Sequence, residues 1–166
     1  MTHAAPSHDE LLPLVEAAGG VADHGSLHPW RLIELRGEAR ERLGVAFVDA
    51  AGIDGNDAAK LAGKPLRASL LIAVVVTHRA SPKVAEWEQD AVASGVAHIL
   101  SLLLDEAGWG VIWRTGHLTR TAPVRALHRL DDNEDLLGWL YVGGLQHHAK
   151  SGPKKTVDPR QFLSQL

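Results

Sequence analysis

The 166-residue chain is 45% hydrophobic and 22% charged, the balance of an ordinary globular domain large enough to bury its own core. Its net charge of −3, with ten histidines counted as neutral, argues against a nucleic-acid binder, which normally carries a basic face. The absence of cysteine excludes disulfides, thiolate chemistry and zinc ribbons.

No apolar run is long enough to span a bilayer; the longest covers residues 70–76. The opening MTHAAPSHDE lacks the basic start and apolar centre of a signal peptide, so the expected location is the cytoplasm, with no membrane partner. No repeat or low-complexity tract is visible. One domain over residues 1–166 is expected, with residues 1–6 flexible.

In chain order, Ser7 with Glu10 three residues later forms a capping-box pattern ahead of LLPLVEAAGG. It predicts a helix that Gly19-Gly20 ends. The loop ADHGSLHPW follows, and residues 30–36 read as a short strand stopped by Gly37. Residues 38–51 are helix-like, with Leu43, Ala46 and Phe47 on one face. Residues 52–66 are rich in Gly, Asp and Asn and are expected to form a mobile loop with a little helix.

SLLIAVVVT, residues 69–77, is the clearest strand. It is apolar at consecutive positions, so both faces should be covered. Residues 84–108 carry the longest helical pattern, with Val92, Val96, Ile99, Leu100, Leu103 and Leu104 on one stripe. Small residues Ala91, Ala93, Gly95 and Ala97 permit close approach of a neighbour, and Gly108 is a natural stop. Residues 111–113 read as a strand leading into Arg114-Thr115-Gly116. Residues 122–129 form a short helix with Pro123 in its first turn. LLGWLYV, residues 136–142, is the last strand. The tail, 145–166, has too few apolar residues for a core of its own and either dangles or packs on something, such as a second subunit. Strands alternating with helices around one sheet predict an α+β or α/β sandwich.

Several residues could carry chemistry. His24 and His28 stand four apart, a metal-helix spacing, but Gly25 and Pro29 interrupt a helix there. His147-His148 is a pair of the kind that usually faces water. Ser26 and Ser94 lie near histidines, yet no G-x-S-x-G elbow is present. Trp113-Arg114-Thr115-Gly116 follows a strand, where a guanidinium, a hydroxyl and backbone N–H groups can converge on an anion. An exposed arginine in an ordinary loop is the equal alternative. Five tryptophans accompany only two phenylalanines and one tyrosine. Trp30 and Trp139 suit the core, while Trp113, beside Arg114, suits the wall of a flat ligand.

The segments HGSLHPWRLIEL, KPLRASLLIAVVV, SPKVAEWEQDAVASGVAHILSLLLDEAGWGVIWRTGHL and DLLGWLYVGG resemble the nitroreductase family, in its small YdjA-like branch of FMN-dependent NAD(P)H oxidoreductases. The resemblance covers roughly residues 10–166. It implies a nitroreductase-like α+β sandwich with a central, mostly antiparallel sheet flanked by helices. It further implies a homodimer with FMN pockets at the subunit interface, the long helix at its centre and residues 145–166 as an arm over the partner, VDPRQFL being a closing strand. His24, with Ser26 and His28 in its loop, and Trp113, Arg114, Thr115 and Gly116 match flavin-contacting segments. Residues 103–108 match a stretch linked to the nicotinamide cofactor. The implied reaction is ping-pong hydride transfer from NAD(P)H through FMN to a small aromatic acceptor, a nitroaromatic or quinone. The flavin carries the chemistry, and no side chain acts as a catalytic group.

The family's opening Arg-Arg-Ser segment, which grips the FMN phosphate, has no counterpart in this sequence, and a further arginine position is Gly20. Each charge-assisted bond contributes about 1.5–3 kcal/mol, so two losses weaken FMN binding by about two to four orders of magnitude. Arg114 remains, and Lys64, Arg67, Lys154, Lys155 or Arg160 from the partner chain are the candidates to substitute for the missing contacts. The alternative reading is a dimer that has lost FMN and acts as a binding or regulatory protein, or takes another flat ligand.

Overall fold

The computed structural model describes residues 3–145 and 156–165. Four strands form one sheet: β1 (Trp30–Leu35), β2 (Leu70–Thr77), β3 (Trp109–Arg114) and β4 (Glu134–Gly144). Their order is β1-β2-β4-β3, and every neighbouring pair is antiparallel. Helices α1 (His8–Ala18) and α4 (Glu86–Glu106) lie on one face. Helices α2 (Glu38–Ala51), α3 (Gly55–Ala62) and α5 (Ala122–Leu127) lie on the other. The α+β sandwich expected from the sequence is therefore present.

Strand β2 is central, and Leu70 through Val76 are all buried. Successive side chains point to opposite faces. Leu71, Ala73 and Val75 meet Leu43, Phe47 and Trp139 on the α2 side. Leu70, Ile72 and Val74 meet Val96, Leu100 and Leu104 of α4 on the other. The continuous apolar run thus supplies both cores at once. Helix α1 begins as its pattern requires, with Ser7 Oγ accepting from the Glu10 N–H and Glu10 accepting from the Ser7 N–H.

Three segments bear on the expectations. The little helix expected within residues 52–66 is α3. It is brief, and Gly44 of α2 brings it close: a Cβ at Gly44 would lie 2.3 Å from the Ala62 carbonyl oxygen. Residues 3–6 are held in place. The Ala4 carbonyl accepts from the Gly144 N–H at 2.8 Å, and the Pro6 carbonyl accepts from Arg36 at 2.6 Å. Finally, VDPRQFL does not form a strand; Pro159–Gln161 make a 3-10 turn capped by Asp158, whose carboxylate accepts from the Arg160 N–H. Pro159 has no N–H to give a ladder, and the side chains around it are exposed. His147, His148, Lys154 and Lys155 lie outside the described residues.

Glu134 ties one end of the sheet together. It is buried, and both its oxygens accept from Arg31 of β1 at 2.6 Å. It also accepts from Thr77 Oγ1 of β2 at 2.9 Å and from the Asp131 N–H at 3.1 Å. The Arg31 bonds, against the cost of burial, hold its carboxyl down at about 2. The drop from the ordinary 4.5 corresponds to roughly 3 kcal/mol of stability. Because the folded value is the lower one, this contribution is present above about pH 4.5 and is lost as pH falls toward about 2. Glu134→Gln is expected to lower stability at pH 7 by about 2–3 kcal/mol, with the gap from wild type shrinking at pH 3. Urea unfolding at the two pH values measures it; an equal gap at both would contradict the assignment.

Candidate functional site

The register of β3 on β4 builds the main cavity wall. Arg114 pairs with Trp139, Ile112 with Tyr141 and Trp113 with Leu140. Paired residues share a face, so Arg114, Trp139 and Tyr141 point toward the α2 side. There they line a cavity of about 410 Å³ at the β3 edge of the sheet. Phe47 of α2 closes it behind Trp139, the two rings meeting edge-to-face at 5.3 Å. Lys64 and Arg67, flanking the turn after α3, and Thr115, Gly116 and His117 form its rim.

β3 reaches this position because of Gly138. The β2–β4 register slips by one residue there, with Val74 opposite Gly138 and Val75 opposite Leu136. Gly138 has φ +143, and a Cβ would lie 2.4 Å from the Arg114 carbonyl oxygen and 2.9 Å from Trp113 Nε1. Both the backbone conformation and the space exclude a side chain.

Trp139, assigned to the core from sequence, is both core and cavity wall. Its indole N–H donates to His128 Nε2 at 3.0 Å, and His128 Nδ1 lies 2.8 Å from the Val124 carbonyl. A carbonyl only accepts and an indole N–H only donates, so His128 is neutral with its proton on Nδ1. Burial, followed by the Arg31 charge, pushes the imidazole below its ordinary range and favours that form. Trp113 contributes to the lining, but its indole packs in the core on the α4 side, edge-to-face with His98 at 5.0 Å. Its Nε1 is buried without a hydrogen-bond partner.

The electrostatics of the cavity are one-sided. Arg114 lies over the Tyr141 ring at 5.6 Å, a cation–π contact. Burial pushes the Tyr141 phenol up, while Arg114 and Arg67 pull it down. Among the described residues, none of Lys64, Arg67 and Arg114 pairs with a carboxylate.

The other sequence-identified residues lie elsewhere. His24 and Ser26 form a 3-10 turn around Gly25 before β1, and His28 follows. Gly25, Ser26 and His28 have φ of 76°, 50° and 47°. Left-handed backbone at non-glycine residues is costly and concentrates at functional loops. Asp23 holds the turn: its carbonyl accepts from the Ser26 N–H at 3.0 Å and its carboxylate from the His28 N–H at 2.7 Å. His24 Nδ1 lies 2.9 Å from one oxygen of Glu88, whose other oxygen accepts from the Ala85 N–H at the start of α4. These bonds to His24 and then Ala85 lower the Glu88 carboxyl. This loop precedes β1 and packs toward α4, whereas the cavity sits beside β3 on the α2 side. Within one chain the loop and the cavity lie on opposite edges and opposite faces of the sheet. Residues 103–106 form the last turn of α4, and Gly108, at φ +85, completes the tight turn into β3. Among the described residues, no three His, Cys, Asp or Glu side chains converge as metal ligands. No helix there is long and apolar enough to cross a membrane.

Sequence reasoning missed Phe47, Trp139 and Tyr141 as cavity residues. Their alternation with core positions carries no separate local signal.

Comparison with known proteins agrees with this architecture. The model of the Nitroreductase family matches residues 2–144. The chain belongs to the nitroreductase family. It is 30% identical to YdjA of Escherichia coli strain K12 over 167 aligned positions, covering 99% of this chain and 91% of YdjA. Among solved structures, a nitroreductase-like family protein from Bacillus cereus aligns with a TM-score of 0.83 at 22% identity, covering 100% of this chain and 88% of that one. The FMN-dependent nitroreductase NfnB from Mycobacterium smegmatis, solved with NADPH, aligns with a TM-score of 0.74 at 14% identity, covering 99% and 91%. The family places this nitroreductase-type chain among the oxidoreductases.

His128→Phe removes the acceptor for the Trp139 indole and is expected to cost about 1–3 kcal/mol. His128→Gln, able to accept from the indole and donate to Val124, should recover part of that loss. Denaturant unfolding of the three proteins measures this, and equal stability of the Phe and Gln variants would contradict the hydrogen-bond role.

Proposed function

We propose that this protein is an FMN-dependent oxidoreductase that passes hydride from NAD(P)H to a nitroaromatic or quinone-type acceptor. The observation that carries the proposal is the cavity beside β3, with aromatic walls and three cations that no carboxylate neutralises. Its volume of about 410 Å³ lies within the range of cofactor pockets. The aromatic surfaces suit a flat ring, and the cations suit the charge that a flavin carries on reduction. The residues present therefore fit FMN. When bound, FMN supplies the two-electron hydride chemistry. The chain's own residues position it: Trp139, held by His128, and Tyr141 give a rigid wall, while Arg114, Thr115 and Gly116 offer polar contacts along one edge.

His24, Ser26 and His28 serve the same ligand from a second copy of the chain. Their position across the sheet from the cavity supports this reading, since one chain cannot close the site alone. The exposed apolar residues Trp87 and Leu102 on α4 and Ile112 on β3 are the kind of surface that a homodimer covers. The arm at residues 156–165, with Phe162 and Leu163 exposed, fits as a segment that packs on the partner.

Purified protein mixed with FMN and gel-filtered is expected to keep a flavin absorbance band near one per chain and to lose it on adding NADPH or NADH. Release of all added FMN during filtration would overturn the proposal and favour a flavin-free dimer that takes another ligand.

A further inference from the structure

One buried titratable group stands outside the proposed chemistry yet touches the cavity wall. His128, just after α5, is 4% exposed, and Trp139 is 3% exposed. The imidazole stands between two cavities. On one side, Trp139 walls the cavity at the β3 edge. On the other, His128 itself lines a smaller cavity of about 300 Å³ beside β1, with Arg31, Glu34, Arg42 and Arg129. The 3.0 Å bond from the Trp139 indole to His128 Nε2 joins the two.

That bond allows only one form of the ring. Nδ1 holds the proton that it gives to the Val124 carbonyl at 2.8 Å, which leaves Nε2 free to accept. A second proton on the ring would set an N–H against the indole N–H. Neither donor would then have an acceptor inside the core, and the pair would part. The charges around the ring are mainly positive. β1 brings Arg31, α2 brings Arg42, and Arg129 follows in the chain. Arg125 of α5 is bound to Asp135 and to the Glu134 carbonyl. The carboxylates are engaged elsewhere: Glu134 and Asp131 act on Arg31, and Glu34 pairs with Arg36 and His8. Burial, followed by the Arg31 charge, lowers the proton affinity of the ring and keeps it neutral at neutral pH. The cavity beside β1 gives solvent protons a route to it.

We propose that His128 is a proton-sensitive positioning residue: as the neutral imidazole it fixes the Trp139 wall, and on taking a second proton it releases that wall and weakens ligand binding in the cavity. The effect on affinity rests on the flavin reading; the response of the wall does not. Phe47 reports the wall directly, because its ring meets Trp139 edge-to-face at 5.3 Å.

NMR of the full chain and binding of riboflavin, both followed from about pH 7.5 to about pH 4.5, test this. Riboflavin is the probe because it lacks the phosphate of FMN, which titrates in that range. Glu134 stays ionised throughout, its carboxyl being held at about 2. In wild type, the His128 ring nitrogens, the Trp139 indole proton and the Phe47 ring protons are expected to shift together. Their midpoint should lie below the ordinary histidine value of 6.5. Riboflavin affinity should fall at least about fivefold with the same midpoint. His128→Gln accepts from the indole at every pH, so the Phe47 shift and the fall in affinity should vanish. Its affinity at about pH 7.5 should exceed that of His128→Phe. A shift and fall that persist in His128→Gln would assign the titration to another group, such as His117 at the cavity rim, and overturn the proposal. Wall signals that do not follow the His128 nitrogens in wild type would overturn it as well, as would riboflavin bound with an affinity indifferent to pH. Riboflavin that binds at no pH, with the wild-type shifts intact and the Phe47 shift absent from His128→Gln, would sink the flavin reading and leave the proton-sensitive wall standing.

Discussion

The close approach of β3 to β4 at Gly138 is the constraint on which the candidate site depends. A side chain there would collide with the Arg114 carbonyl and with the Trp113 indole. Without it, β3 can run along β4 in a register that sets Arg114 beside Trp139 and Ile112 beside Tyr141. The same slip in pairing leaves Leu137 as the extra residue between β2 and β4, and such bulges commonly re-aim side chains near sites. The aromatic wall and the cation above it are thus consequences of one backbone irregularity. His128 then fixes the remaining freedom of Trp139 from behind, as a neutral acceptor inside the core.

Topology separates the cavity from the histidine loop within a single chain. β1 and β3 are the two edges of the sheet. The loop carrying His24, Ser26 and His28 enters the first edge, and the segment carrying Arg114, Thr115 and Gly116 leaves the second. Two strands separate them, a span of about 14 Å across three strand spacings. The loop's backbone is left-handed at Gly25, Ser26 and His28 and is held by Asp23 and Glu88. Its rigidity makes sense as preparation for a ligand or a second chain.

Much of this arrangement was legible in the sequence where the signal is local. The uninterrupted apolar run of β2 implied burial on both faces, and both faces are covered. The small-residue stripe of the long helix implied close packing, and a Cβ at Gly95 would lie 2.7 Å from Val21. The segment after β3 was marked by its residue types, and Trp113 through Gly116 do line the cavity. Helix α3 was legible only as a little helix within a loop, because Gly55, Asn56 and Asp57 at its start usually mark loops. The role of Glu134 carries no local signal, because its partner Arg31 stands 103 residues away and only the assembled sheet brings them together. The aromatic wall was hidden for a related reason: Phe47, Trp139 and Tyr141 come from separate elements, and nothing in their neighbourhoods distinguishes a cavity wall from a core.

The central claim, that two chains share each site, is tested most directly by mixing two defective variants. His24→Ala damages the loop half and Arg114→Ala the cavity half. If the site is shared between chains, each variant alone binds FMN poorly, and refolding the two together yields mixed dimers with one intact site each. Random pairing then restores about a quarter of a flavin per chain, on the order expected when half the dimers are mixed. No recovery on mixing, with each variant confirmed as a folded dimer, would contradict a site shared between chains.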